Sequence, residues 1–292
     1  MYYLLFGLLY LVSLLPLRLL YVLSDFIYFI VYKVFGYRKK VVLHNLAIAF
    51  PQKTEAEREA IARKFYRNFT DTFIETIKFI SASKAFIKRH CDGDVSLVHE
   101  LYKQGRSIQV LAGHNFNWEL VNLAVAPSMP GKVLAVYLPL NNAAFERLFR
   151  YIRTRFGTIL IAAKRMKEDM LPHRGTQYII GLVADQSPGV PSKAHWVQFF
   201  GRPTGFLKGP ENAARRNDYP VVFVHFTKRK RGFYTTHVEL ITENASALSE
   251  GQLTKIYVKQ LERVMTEHPE LWLWSHRRWK HEWKPEYDKI IA

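Results

Sequence analysis

The stretch richest in chemistry is Ala112-Gly113-His114-Asn115-Phe116-Asn117-Trp118-Glu119. A histidine follows an apolar run, and a carboxylate comes five residues later. In one continuous helix, positions five apart point about 140° away from each other, so these side chains cannot pair there. They can pair if His114 lies on a strand-to-helix loop and Glu119 in the first helical turn after it. Glu119 would then accept from one ring nitrogen and fix the tautomer, leaving the other nitrogen to take a proton. No serine or cysteine stands beside the pair. The substrate must therefore bring the nucleophile, most simply a hydroxyl. With 11 histidines and 25 acidic residues in 292, roughly one such spacing arises by chance. His281/Glu286 is a second instance. It contains Pro285, follows no strand and lies near the C-terminus, so it is assigned to chance. The plain alternative for His114 is a helix-capping histidine; the preceding strand is what favours chemistry.

Asp185-Gln186-Ser187-Pro188-Gly189 ends another apolar run. Strand C-termini are where open α/β sheets place ligands. Ser-Pro-Gly is also strong turn chemistry, which does not exclude a role for Asp185. Leu271 to Lys280 (LWLWSHRRWK) mixes indoles with cations. Such a mixture suits anionic lipid headgroups at an interface, and equally suits single-stranded nucleic acid.

The elements that must carry these residues are readable as runs. Ser107 to Ala112, Lys132 to Leu138, Thr158 to Ala162, Tyr178 to Ala184 and Pro220 to Phe226 are short and apolar, and Tyr234 to Ile241 reads as a further strand. Helical stretches lie between most of them: Asn142 to Arg155 is amphipathic and basic, Gly209 to Arg216 is short, and Leu253 to Glu267 closes the chain. This alternation predicts an α/β fold, a mixed sheet flanked and buried by helices. Thr54 opens a helix with a Thr-x-x-Glu capping box completed by Glu57. On that helix Ile61, Phe65, Phe69, Phe73 and Ile77 form one apolar stripe, taken as core packing. Val41 to Pro51 reads as a short segment ended by proline, and Lys84 to Asp94 as a linker. Phe199 to Pro203 and Lys208 to Pro210 read as an apolar loop and a helix start.

Composition sets the partners. The 292 residues carry 42 Lys+Arg against 25 Asp+Glu, a net charge of +17, and only one cysteine, Cys91. The charge points to anionic partners, such as phosphate, a membrane surface or an acidic protein. The single cysteine excludes an internal disulfide framework and a Cys-rich zinc module, and no other metal-ligand spacing is present. Tyr2 to Leu17 is uncharged, with Pro16 near its end. A second apolar stretch, Leu19 to Phe35, contains Asp25 and Lys33. Neither half alone reaches the roughly 20 apolar residues a spanning helix needs. No basic n-region or small-residue cleavage site marks a secretory signal. Residues 1–37 are expected to be a retained anchor, spanning or shallowly embedded, with a buried core helix pair as the plain alternative, and 38–292 one catalytic domain. Arg38, Lys39 and Lys40 then place the rest of the chain on the cytoplasmic side.

These segments, in this order, resemble the lipid A biosynthesis acyltransferase family, the late (secondary) acyltransferases of Gram-negative bacteria, related to the glycerolipid acyltransferases. The likeness runs over nearly the whole chain. It includes the apolar N-terminus, Asn45 to Pro51 (NLAIAFP) and the His-x4-acid box His114–Glu119. It continues through the basic helix ending Arg153-Thr-Arg155-Phe-Gly157, Asp185-Gln186, Phe199-Phe200-Gly201 and Pro269 to Arg278. The box carries Glu, as in the lipid A branch, where glycerolipid relatives more often have Asp. The resemblance implies a glycerolipid-acyltransferase-like fold at the bacterial inner membrane. It implies transfer of a fatty acyl group from acyl carrier protein to a hydroxyl of a lipid A precursor, with acyl-CoA as the other donor to consider. His114 would be the general base and Glu119 its orienter. No covalent enzyme intermediate and no cofactor or metal is called for, because the donor is already a thioester. Arg153, Arg155, Asp185, Gln186, Arg277 and Arg278 are the candidate substrate-binding residues. Planar Arg forks suit phosphate, on the acceptor or on the carrier's phosphopantetheine. The expected partners are acyl carrier protein, an anionic lipid acceptor and the membrane, not nucleic acid. Two other readings remain beside it: the same chemistry on a lysophospholipid or aminolipid, and a non-catalytic basic protein of membrane surfaces or nucleic acid.

Overall fold

The computed structural model describes residues 2–291. The helices are α1 (Tyr2–Leu14), α2 (Leu17–Tyr28, continued by a π-helical turn Phe29–Val34), α3 (Lys39–Ala49), α4 (Glu55–Lys78), α5 (Lys84–His90), α6 (Ser96–Lys103), α7 (Trp118–Val125), α8 (Ala143–Thr154), α9 (Met166–Met170), α10 (Gly209–Asn217) and α11 (Gln252–Glu267). The strands are β1 (Cys91–Gly93), β2 (Ile108–Ala112), β3 (Lys132–Tyr137), β4 (Ile159–Ala162), β5 (Tyr178–Val183), β6 (Ala194–Phe199), β7 (Arg202–Leu207), β8 (Val221–Lys230), β9 (Phe233–Thr242) and β10 (Ile290–Ile291).

The main sheet has the order β1-β9-β8-β2-β5-β3-β4, and a smaller sheet has the order β10-β6-β7. Only β8 and β9 pair antiparallel in the main sheet; every other neighbouring pair is parallel. The expected mixed α/β sheet is therefore present. Its central strands are continuous apolar runs because helices cover both faces. Gln109 in β2 is a fully buried exception, and its amide donates to the Pro210 carbonyl at 3.0 Å.

The capping box at Thr54 forms as expected. The Glu57 N–H donates to Thr54 Oγ1 at 3.3 Å, and the Thr54 N–H donates to Glu57 Oε2 at 2.7 Å. The stripe on α4 packs less completely than its spacing implied. Phe65 is buried, but Phe73 is 52% exposed. Beside Ala62, Phe65, Tyr66 and Ile74, α4 buries a polar set: Asn68, Thr70, Asp71, Thr72, Glu75 and Thr76. Helix α2 lies along that face and satisfies part of it; Ser24 Oγ donates to Asp71 Oδ1 at 2.8 Å.

Three segments go beyond or differ from the expectation. Val41 to Pro51 lies largely in α3, whose Asn45 amide ties down the Trp274 and His276 carbonyls at 2.8 and 2.7 Å. Lys84 to Asp94 is α5 and β1 rather than a linker. Phe199-Phe200-Gly201 is the turn of the β6–β7 hairpin, with Phe200 and Gly201 both at positive φ. Among the described residues no single helix is long and apolar enough to cross a membrane; α1 and the α2–π segment are bent by 116° at Pro16. Both pack on α4, and Lys78 Nζ donates to the Ser13 and Leu15 carbonyls at 2.9 and 3.0 Å.

Candidate active site

Strands β2 and β5 are parallel neighbours with Ala112 opposite Val183. Two residues beyond each pair member stand His114 and Asp185, side by side at the C-terminal edge of the sheet. Gly113 lets the chain turn out of β2 in tight quarters. A Cβ there would lie 2.7 Å from Leu261 Cδ1 of α11. The loop after it is held by the segment following α11. The Phe116 N–H donates to the Leu271 carbonyl at 2.8 Å, and the Leu273 N–H to the His114 carbonyl at 3.1 Å. Asn117 then caps α7, accepting from the Leu120 N–H at 3.2 Å.

This geometry changes the partner of His114. Its Nδ1 lies 2.5 Å from Asp185 Oδ1, and its backbone N–H donates to Asp185 Oδ2 at 2.8 Å. Trp272 Nε1–H donates to the same Oδ2 at 2.6 Å. Asp185 is fully buried. Burial alone would raise its pKa, but the facing His114 and the three donated hydrogen bonds outweigh it and hold the carboxyl at about 2. It is thus a carboxylate at any physiological pH. On the other side of the ring, Nε2 faces the Gln186 amide at 3.1 Å.

The expected His114–Glu119 bond is not the one that forms. Glu119 sits in the first turn of α7 with its carboxylate turned to α8, where Arg153 holds it in a fork: Nε to both oxygens at 3.0 Å and Nη2 to Oε1 at 2.5 Å. Burial works against the Arg153 charge, but Glu119 more than offsets it, so the guanidinium pKa is raised. Trp118 stands between the two systems. Its ring meets the imidazole edge-on at 5.5 Å, and its Nε1–H donates to Glu119 Oε1 at 3.1 Å.

His114, Glu119, Arg153 and Gln186 line one cavity of about 1540 Å³, larger than the few hundred to 1,000 Å³ of ordinary ligand sites. Behind them the wall is apolar, with Ala135, Met166, Met170 and Ile180 among its residues. Leu138 and Leu140 reach both this wall and solvent.

Four expected substrate contacts lie elsewhere; Asp185 is fully buried behind His114 and is not part of the cavity wall. Arg155 donates to the Phe79 carbonyl and stacks near Tyr151 and Phe156, outside the cavity. Arg277 is exposed and is not part of the cavity wall. Arg278 is 2% exposed; it donates to the Gly205 carbonyl at 2.8 Å and lies 4.2 Å from the Phe206 ring centroid. Burial lowers its pKa to about 10, which still leaves it charged. The indoles beside it are also not at an interface: Trp272 and Trp274 are buried. Trp272, which donates to Asp185, is the neighbour of the candidate site that its aromatic-cation context disguised as surface. His276 was likewise read only within that motif. Its Nε2 accepts from the Ser187 N–H at 3.1 Å, and burial together with the Arg278 charge pushes its pKa down to about 4.

An α/β domain that sets a carboxylate-held imidazole at a strand end, beside a large cavity with apolar walls, has the layout of an enzyme. The sequence profile described as bacterial lipid A biosynthesis acyltransferase matches residues 1–281, and the chain belongs to that family of acyltransferases. Among its relatives, the lipid A biosynthesis palmitoleoyltransferase of Escherichia coli K12 is 23% identical over 260 residues, covering 83% of this chain and 79% of the relative. The lipid A biosynthesis acyltransferase of Shigella flexneri gives the same figures. The lipid A biosynthesis myristoyltransferase of Escherichia coli K12 is 23% identical over 163 residues, covering 56% of this chain and 50% of the relative.

Proposed function

We propose that this acyltransferase moves a fatty acyl group from an acyl carrier protein thioester to a hydroxyl of a lipid A precursor, at the cytoplasmic face of the bacterial inner membrane. The observation that carries the reading is the ring of His114: a buried carboxylate on Nδ1, and Nε2 turned to an apolar cavity. In the reaction the acceptor hydroxyl displaces Gln186 at Nε2 and gives up its proton there as its oxygen attacks the thioester carbonyl. The tetrahedral adduct then expels the carrier thiolate, which takes the proton back from Nε2. Ester and free thiol are the products, and His114 returns unchanged. Asp185 keeps the proton on Nδ1 and stabilises the transient imidazolium, the part expected at first of Glu119. Glu119 holds Arg153 at the wall of the cavity. Arg153 Nη1 makes no hydrogen bond among the described residues and is the donor best placed for a phosphate of the acceptor or of phosphopantetheine.

Membrane association is supported by largely exposed apolar side chains. Leu4, Leu8 and Leu11 of α1 are 62–81% exposed, and Phe35 after the π-turn is 77% exposed. Apolar patches of this kind mark membrane or protein contact. The +17 charge suits both an acidic carrier and a phosphorylated lipid.

The test uses purified protein, acyl carrier protein loaded with a fatty acid, and a lipid A precursor. His114→Ala should lower turnover by roughly 10²–10⁴-fold, and Asp185→Asn, which cannot fix the tautomer, by a similar factor. Unchanged turnover in a folded His114→Ala variant would eliminate the mechanism. Mass spectrometry of the host's lipid A with and without the gene should differ by one acyl chain. A change confined to phospholipids or aminolipids would move the acceptor to that class instead.

A further inference from the structure

Outside the proposed catalytic residues, Glu75, near the C-terminal end of α4 and 2% exposed, is a buried carboxylate shared by several elements. Three donors from three elements converge on it. Tyr21 Oη of α2 donates to Oε1 at 2.7 Å. Asn117 Nδ2, at the start of α7, donates to Oε2 at 2.8 Å. Tyr234 Oη of β9 donates to the same oxygen at 3.0 Å. Asn117 is fully buried, and its other side-chain atom caps α7. Its carboxamide is therefore used at both ends: the oxygen sets the first turn that carries Glu119, and the nitrogen sets where that turn sits relative to α4.

The approach of Tyr21 is built for, not incidental. The β8–β9 turn that faces it places Gly232 at φ +77°, and a Cβ there would lie 2.1 Å from the Tyr21 hydroxyl. The Arg231 guanidinium packs 4.3 Å from the Tyr21 ring centroid. One turn on, Ser24 is bonded to Asp71, the next buried carboxylate of the same α4 face. The apolar N-terminal segment is thus joined to the catalytic loop by two hydrogen bonds in series through one carboxylate.

We propose that Glu75 is a positioning residue, which locks the loop from His114 to Glu119 through Asn117 and, through Tyr21, makes the loop's geometry depend on the seating of α2. An ionised carboxylate accepts from all three donors, whereas an amide would present N–H to at least one of them. The N-terminal segment is then part of the working site as well as a candidate anchor. The activity arm of the test rests on the proposed acyl transfer; the exchange arm does not.

Amide hydrogen exchange of the full-length protein in detergent, followed by mass spectrometry, reads the loop directly. In Glu75→Gln, peptides covering residues 114–121 should exchange about tenfold faster than in the parent, while those of β2, β5 and β8 keep their rates. Tyr21→Phe and Asn117→Ser, which keeps a capping oxygen but loses the bond to Glu75, should move the same peptides in the same direction. With acyl carrier protein as donor, kcat should fall about tenfold or more in Glu75→Gln, with donor KM within about twofold, because the reacting groups are displaced rather than the binding walls. A residue with a merely structural role would raise exchange across α2, α4 and β9 alike and leave kcat per folded molecule unchanged. Parent-like exchange of residues 114–121 in Tyr21→Phe and Glu75→Gln overturns the proposal. If Glu75→Gln does not fold, Tyr21→Phe and Asn117→Ser decide it. If the parent protein transfers no acyl group, the functional reading falls and the exchange rates still decide the positioning role.

Discussion

At the residue scale, the carboxylate that holds the imidazole is not the one its own motif offers. His114 and Glu119 share a motif, yet the imidazole pairs with Asp185, 71 residues away, at 2.5 Å. Glu119 stays five residues from His114 in sequence and spends both oxygens on Arg153. The sequence pointed to each of these residues as a chemical group but not to its partner. Spacing constrains partners only along one element, whereas this pair lies across two strands. His276 gives a residue-level prediction for pH. Its folded pKa of about 4 lies below the usual histidine value of 6.5 because burial and Arg278 disfavour its charged form. Between pH 6.5 and 4 the unfolded chain binds the extra proton and the folded chain does not. The stability tied to this group is therefore full above pH 6.5 and is lost as the pH falls to about 4. Asp185, at about 2, titrates below that window. His276→Gln keeps an acceptor for Ser187 and cannot titrate. Its melting temperature should fall less steeply over this range, by a few degrees, in a thermal scan against pH. Equal slopes for parent and variant would contradict the assignment.

At the element scale, the loop after β2 is held from behind by the chain that follows α11. Backbone pairing of residues 114–116 with 271–273 and the Trp272–Asp185 bond make Leu271 to Trp274 the back wall of the site. Asn45 of α3 fastens that wall in turn through two carbonyls. The segments NLAIAFP and LWLWSHRR, far apart in sequence, therefore meet behind one loop. Gly113 is the narrow point. Gly113→Ala would drive a methyl against Leu261, and overpacking of this kind costs about 1–3 kcal/mol. The variant should melt several degrees lower and lose more turnover than its folded fraction explains, since the clash lies next to His114. Shortening Leu261 to Ala in the same chain should recover part of the loss. Most elements were legible in advance, because each buried strand is a continuous apolar run and α4 carries its own cap. The β6–β7 hairpin was not, because the left-handed turn at Phe200-Gly201 is surrounded by aromatic residues that read as loop.

At the scale of the whole molecule, the N-terminal segment joins two tasks. Its outward side presents leucines and aromatics to solvent, and its inward side supplies Tyr21 and Ser24 to buried carboxylates of α4. Removing residues 1–34 should therefore destabilise the fold itself. Asp71 and Glu75 would each lose a donor, and a buried group left short of partners costs about 1–3 kcal/mol. The truncated protein should melt well below the full chain in the same detergent, or aggregate. An unchanged melting temperature would show that the segment docks without contributing to the fold. Arg278 makes the converse point: a cation read as a ligand for anions is a core residue, stacked on Phe206 and hydrogen-bonded to a backbone carbonyl.

Residue type and local period were sufficient for the α/β class, for His114 and Asp185 as strand-end candidates, and for the basic character of the chain. These are properties of composition and of runs a few residues long. The tertiary structure decided which carboxylate holds the imidazole, which arginines face the cavity, and that a buried glutamate ties α2 to the loop after β2. Each of those depends on strand order and helix docking. Contacts between residues 30 to 230 positions apart leave no periodic trace in the sequence, since the chain between them can take many paths to the same meeting point.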